Sequence, residues 1–186
     1  FPKIHVMEAY GNFSHGSFAK IFSKKVELYS TAEDASIIQM LRDQVIRSDY
    51  VVIHMRRDTW PSRNLTVESW KSIIDIILEK TPFKVIQVGG PNEIAFDHNE
   101  RLINLLGRLS IFQLKELIEK SRFYFGIDSG TLHVAASTEA PIISLFTSAH
   151  HDLRKPLGRS DESIFLPIAP QVDCYGCQAE YKPPIT

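Results

Sequence analysis

Residues 122–146 read RFYFGIDSGTLHVAASTEAPIISLF. An apolar run ends in Asp128-Ser129-Gly130-Thr131, a small-residue helix pattern with His133 in its first turn follows, and a second apolar run, PIISLF, closes the stretch. Strand, turn, helix and strand make one β-α-β unit. Strands that are apolar throughout, rather than alternating with polar residues, are buried on both faces, so the unit predicts a parallel sheet covered by helices on either side.

The same alternation extends upstream. YVVIH (50–54) is a strand candidate, and VESWKSIIDIILEK (67–80) carries Val67, Trp70, Ile73, Ile74 and Ile77 at helical spacing behind Thr66 as N-cap. FKVIQVGG (83–90) is a second strand and RLINLLG (101–107) a third. Ser110 and Gln113 have capping-box spacing ahead of LKELIEK, which predicts a helix from about 111 to 120. RFYFGI and PIISLF are the fourth and fifth strands, and IFLPIAP a last one. Before the sheet, TAEDASIIQMLRDQVIRS (31–48) opens with Thr31 and Asp34 at capping spacing and sets Ile37, Ile38, Leu41 and Val45 on one face, so a helix is expected there. The fold expected is α/β, a Rossmann-like doubly wound parallel sheet. Residues 1–48 would be a linker and helical segment packing on it, and residues 49–186 the nucleotide-binding part, ending in the tail DCYGCQAEYKPPIT. Together they form one structural domain.

Composition excludes some partners. At 186 residues the chain suits one domain, and a net charge of −1 gives no basic excess for a nucleic-acid backbone. No apolar run nears the ~20 residues that span a bilayer. The start, FPKIHVMEAY, has neither a signal peptide's apolar stretch nor an initiator Met, so the expectation is a cytoplasmic piece of a longer chain.

In a doubly wound sheet ligands bind at the carboxyl ends of the strands. Four stretches fall there: HMRRDTWPSRN (54–64), GGPNE (89–93), DSGTLH (128–133) and TSAHHDLRKP (147–156). In the third, Gly130 lets a ligand approach the backbone, the first helical turn offers free N–H groups to an anionic oxygen, and Ser129, Thr131 and His133 add donors. Asp128 could accept from ribose hydroxyls; equally, it could cap the helix while His133 is a satisfied buried histidine. His54, Arg56, Arg57 and Arg63 share the first stretch, and guanidinium groups suit a diphosphate because each binds two oxygens. Gly89 and Gly90 allow close backbone approach, and Glu93 could accept from ribose. Neither G-x-x-x-x-G-K-[ST] nor G-x-G-x-x-G occurs, which argues against an ordinary NTPase or dehydrogenase. The only cysteines, Cys174 and Cys177, have metal-half-site spacing, but the chain shows no second pair.

Taken together, FGIDSGTLHVAASTEAPIISLF, NLLGRLSIFQLKELIEKS, VIQVGGPNE and RNLTVESW resemble, in order and spacing, the carboxyl-terminal half of glycosyltransferase family 9, the ADP-heptose:lipopolysaccharide heptosyltransferases, from about Tyr50 to Cys177. The resemblance implies a bacterial GT-B enzyme of lipopolysaccharide biosynthesis, of which this is the donor-binding half. Asp128, Ser129, Gly130, Thr131 and His133 would then line the nucleotide-sugar diphosphate site; Gly89, Gly90, His54 and Arg56, placed at the ligand edge by the strand ends, are further binding candidates. Arg63 would stand at the phosphate-binding lysine, and Glu93 at the ribose-binding acid. The tryptophan and proline of the family's K-x-W-P are Leu65 and Thr66 here, and its usual opening after the first strand is replaced by HMRRD. The implied partners are a nucleotide diphosphate sugar such as ADP-heptose, an amino-terminal acceptor-binding domain that carries the catalytic base, and a peripheral contact with the inner membrane. No cofactor is implied for transfer, while Cys174 and Cys177 could hold structural iron or zinc. Two rival readings are half of a sugar-nucleotide epimerase-like enzyme and a non-catalytic assembly module with a metal-binding tail.

Overall fold

The computed structural model describes residues 27–55, 64–157, 164–173 and 175–176. In chain order the elements are α1 (Ala32–Leu41), β1 (Tyr50–His54), α2 (Val67–Lys80), β2 (Lys84–Val88), β3 (Leu102–Asn104), α3 (Ile111–Glu119), β4 (Tyr124–Ile127), α4 (Gly130–Ala136), β5 (Ile142–Leu145), α5 (His151–Arg154) and β6 (Phe165–Ile168). The six strands form one sheet in the order β3-β2-β1-β4-β5-β6, and every pairing is parallel. That order is the one found in dinucleotide-binding domains, with its reversal between β1 and β4.

Strand register divides the core in two. Tyr50, Val52, Ile86, Tyr124 and Ile142 turn to one face, where they meet Ile38 of α1, Leu117 and Ile118 of α3 and Leu132 of α4. Val51, Ile53, Val85, Phe125 and Ile127 turn to the other, against Trp70, Ile74 and Leu78 of α2. Trp70 meets Phe125 edge-on, with ring centroids 5.6 Å apart. β6 is the last strand of the sheet among the described residues, a position where Pro167, which has no N–H to donate, is tolerated.

Helix starts fall where their side chains dictate. Thr66 Oγ1 accepts from the Ser69 N–H, and both Thr31/Asp34 and Ser110/Gln113 close reciprocal capping boxes. Two expectations need correction. The third strand is only three residues long, and the helix expected over 31–48 is α-helical only to Leu41, after which Arg42–Ile46 make a π turn closed by Arg47 N–H donating to Arg42 O at 2.6 Å. The wider turn rotates the chain by one residue. Ile46 is therefore buried, whereas Val45, expected on the apolar face, is exposed. Arg47 then ends the segment in the left-handed region, at φ 55°.

Ahead of α1, Ser30 donates to Glu116 of α3, a carboxylate that also pairs with Lys115 and Lys120. This buried charge ties residues 28–30 to the sheet's helical cover, with Leu28 packed on the same core.

Candidate functional site

A cavity of about 270 Å³ opens at the carboxyl ends of β1, β2 and β4, beside the reversal in strand order. One wall is apolar, made by Val88, Leu105, Leu109 and Leu114. The other is polar, made by His54, Glu93, Ser129 and Thr131, with Gly89, Gly90 and Gly130 exposing backbone.

His54 ends β1 and is buried. Its Nδ1 lies 3.1 Å from Ser129 Oγ and its Nε2 3.6 Å from Glu93 Oε1, so one imidazole bridges the loops after β2 and β4. Glu93 is held from its own loop: the Gly90 N–H donates to Oε1 at 2.8 Å. Its Oε2 is buried and has no hydrogen-bond partner among the described residues, which leaves an acceptor available to a hydroxyl donor.

The Glu93 loop is anchored by Gln87, a fully buried side chain of β2. Its Nε2 donates to Ile94 O at 2.7 Å and its Oε1 accepts from the Phe96 N–H at 2.9 Å. Sequence reasoning missed this residue because a glutamine inside an apolar strand carries no periodic signal of its own. The apolar wall was missed for another reason: Leu105, Leu109 and Leu114 read as ordinary core residues.

The DSGTLH turn is placed as expected, with differences in detail. Ser129, not Asp128, is the N-cap, and its side chain makes no capping bond because its hydroxyl faces His54. Asp128 is half-buried, and its Oδ2 has no hydrogen-bond partner among the described residues. Neither Asp128 nor His133 contributes to the cavity wall, whereas Ser129, Gly130 and Thr131 do. α4 has only seven residues, so its macrodipole is small and the hydroxyls carry most of the polarity. Beneath them lies the Tyr124 phenol, fully buried. Burial pushes its pKa far above the ordinary range, opposed by nearby Ser129 and reinforced by Glu93, so it stays neutral.

Arg56 and Arg63 lie outside the described residues, as do Cys174 and Cys177. Tyr175 and Gly176, between the cysteines, sit beside the loop after β5: Tyr175 Oη accepts from the His151 N–H at 2.8 Å and its ring lies 5.0 Å from that of His150. Among the described residues, His150, His151 and Asp152 hold potential metal-ligand atoms within 4.8 Å of one another. Those atoms have other duties, since His150 Nδ1 caps α5 and Asp152 pairs with Lys155 at 2.8 Å.

Residues 19–183 match the model of glycosyltransferase family 9 (heptosyltransferase). The chain belongs to glycosyltransferase family 9. Among members of this family, lipopolysaccharide heptosyltransferase 3 of Escherichia coli is 27% identical over 125 residues, covering 60% of this chain and 35% of that protein. A family 9 glycosyltransferase from Veillonella parvula DSM 2008 superposes with a TM-score of 0.71 at 15% identity, over 95% of this chain and 52% of the other. The ADP-heptose lipopolysaccharide heptosyltransferase II of E. coli gives a TM-score of 0.62 at 17% identity, over 76% and 44%. This chain thus spans between about a third and a half of the length of these family 9 proteins. No helix among the described residues is long and apolar enough to cross a membrane.

Proposed function

We propose that this chain is the donor-binding half of an inverting family 9 glycosyltransferase and that its cavity holds a nucleotide diphosphate sugar. The observation that carries the reading is the split lining of the cavity. The leucine wall suits the face of a nucleobase, and the unpartnered Glu93 Oε2 suits a ribose hydroxyl. Ser129 and Thr131, with the open backbone at Gly130, suit the diphosphate. ADP-heptose is the donor class proposed, since one structurally similar protein is described as an ADP-heptose heptosyltransferase.

In the proposed reaction an acceptor hydroxyl attacks the anomeric carbon as the diphosphate departs. The base that takes its proton belongs to an amino-terminal domain of the parent chain. This half stabilises the charge growing on the leaving group, a role that fixed donors perform best where water is excluded. Arg56 and Arg63 would add cationic donors. The acceptor is a lipopolysaccharide core or another glycan or protein, reached on the cytoplasmic side with a peripheral contact to the inner membrane. Transfer itself would use no metal, and Cys174 and Cys177 would hold structural iron or zinc, which elemental analysis of the purified chain tests directly. The reading as a whole is tested by titrating ADP, GDP and UDP into the chain: ADP should bind, and Glu93→Ala should weaken it. Failure of all three nucleotides to bind would overturn it.

A further inference from the structure

The proton inventory of His54 carries a consequence for ligand binding, which rests on the nucleotide-diphosphate reading above. The imidazole is 4% exposed and both its nitrogens face a partner. Nε2 stands 3.6 Å from Glu93 Oε1, too far for a hydrogen bond but close enough that a bare nitrogen lone pair facing an acceptor oxygen is unfavourable, which favours the proton on Nε2. A neutral imidazole has one N–H, which leaves Nδ1 as an acceptor, and the Ser129 hydroxyl must then donate to it. In that state Ser129 turns lone pairs toward the cavity. A phosphate oxygen accepts hydrogen bonds and needs the opposite polarity.

A second proton reverses the arrangement. The imidazolium carries protons at both nitrogens, donates to Ser129 Oγ and faces Glu93 with its charge, and the Ser129 hydroxyl is released to donate into the cavity. Among the described residues, the titratable groups around this pair are Glu93 and the Tyr124 phenol, which stays neutral and so cannot supply the charge. We propose that His54 is a proton-coupled positioning residue: it takes up one proton from solvent when a nucleotide diphosphate binds, and so converts Ser129 from hydrogen-bond acceptor to donor toward the phosphates. The balance is simple. One solvent proton adds at Nδ1, the Ser129 proton rotates without leaving its oxygen, and no other bond forms or breaks.

The test is calorimetric titration of ADP near neutral pH in buffers that differ in ionisation enthalpy, which counts protons taken up per ADP bound. Wild type should take up more than His54→Asn, by a fraction of a proton that approaches one; uptake by the phosphates of ADP cancels in this difference. His54→Asn should keep most of the affinity, because its amide N–H stands near the Nδ1 position and donates to Ser129 permanently, whereas His54→Ala should lose about ten-fold. Adenosine, which has no phosphates, should bind without the extra uptake. Ser129→Ala is the second variant should His54 changes impair folding, and it should bind ADP more weakly with the extra uptake gone. Equal proton uptake by wild type, His54→Asn and Ser129→Ala with ADP bound would overturn the coupling while leaving the nucleotide site standing. Absence of any ADP binding to wild type would overturn both.

Discussion

The carboxylate of Glu93 occupies the space that a side chain on Gly89 would need. Gly89 adopts φ 153°, and a Cβ built there meets the Glu93 carboxyl carbon at 2.7 Å, while the next residue, Gly90, donates its N–H to Glu93 Oε1. The Gly-Gly turn is thus the socket of the acid as well as part of the cavity lining. Gly89→Ala should cost about 1–3 kcal/mol of stability through backbone strain, and should also expel the carboxylate. Thermal unfolding and ADP affinity should both fall, in contrast to Glu93→Gln, which should lower affinity by roughly 10-fold or more with little change in unfolding temperature.

Gly130 behaves in the opposite way. Among the described residues, and apart from its chain neighbours and its own helix backbone, nothing lies within 4 Å of a Cβ built there, and the residue is exposed on the cavity wall. Gly130→Ala should therefore leave the unfolding temperature unchanged or slightly raised, while ADP binding weakens by roughly ten-fold as the methyl group intrudes on the ligand. Equal affinity in this variant would mean that the ligand does not approach the turn.

Gln87 is expected to act on Glu93 through its loop. Gln87→Ala leaves the Ile94 carbonyl and the Phe96 N–H without their partner, at about 1–3 kcal/mol for each group that stays buried. Hydrogen exchange should rise at residues 93–96 before it rises elsewhere.

Glu116 links stability to pH. Burial by itself would raise its pKa, but the hydrogen bonds from Ser30 and Lys115 and the charges of Lys115 and Lys120 outweigh that and hold it below the usual carboxylate range. Because the folded value lies below the unfolded one, the contribution is complete above the unfolded pKa and is lost as pH falls through the folded one. Glu116→Gln should thus destabilise the chain by about 1 kcal/mol at neutral pH, with the gap to wild type closing under acid. Unfolding curves of both proteins across that range check the sign.

Local chemistry explains which features could be read from the residues. Thr66, the Thr31/Asp34 pair and the Ser110/Gln113 pair act within one helical turn, so their caps were visible as spacing. The strands were visible because double burial leaves continuous apolar runs. The π turn at Arg42–Ile46 was not, since it is decided by whether Ile46 or Val45 meets the core, which is a tertiary matter. The candidate site divided in the same way. Ser129, Gly130, Thr131, Glu93 and His54 stood at strand ends, or in the loops and first helical turn that follow them, whose position at the sheet edge followed from the fold class. Their mutual contacts, and the clamp at Gln87, depend on distances across strands that are remote in sequence.

The claim that this cavity is a nucleotide diphosphate site is tested most directly by mapping ADP onto the folded chain. Amide shifts in the nuclear magnetic resonance spectrum of the labelled protein should move at Gly89, Gly90 and Glu93 and at Ser129, Gly130 and Thr131, with smaller changes at Leu105 and Leu109. An ADP titration that leaves these amides in place, or moves only residues at a distance such as those of the β6 edge, would contradict the account.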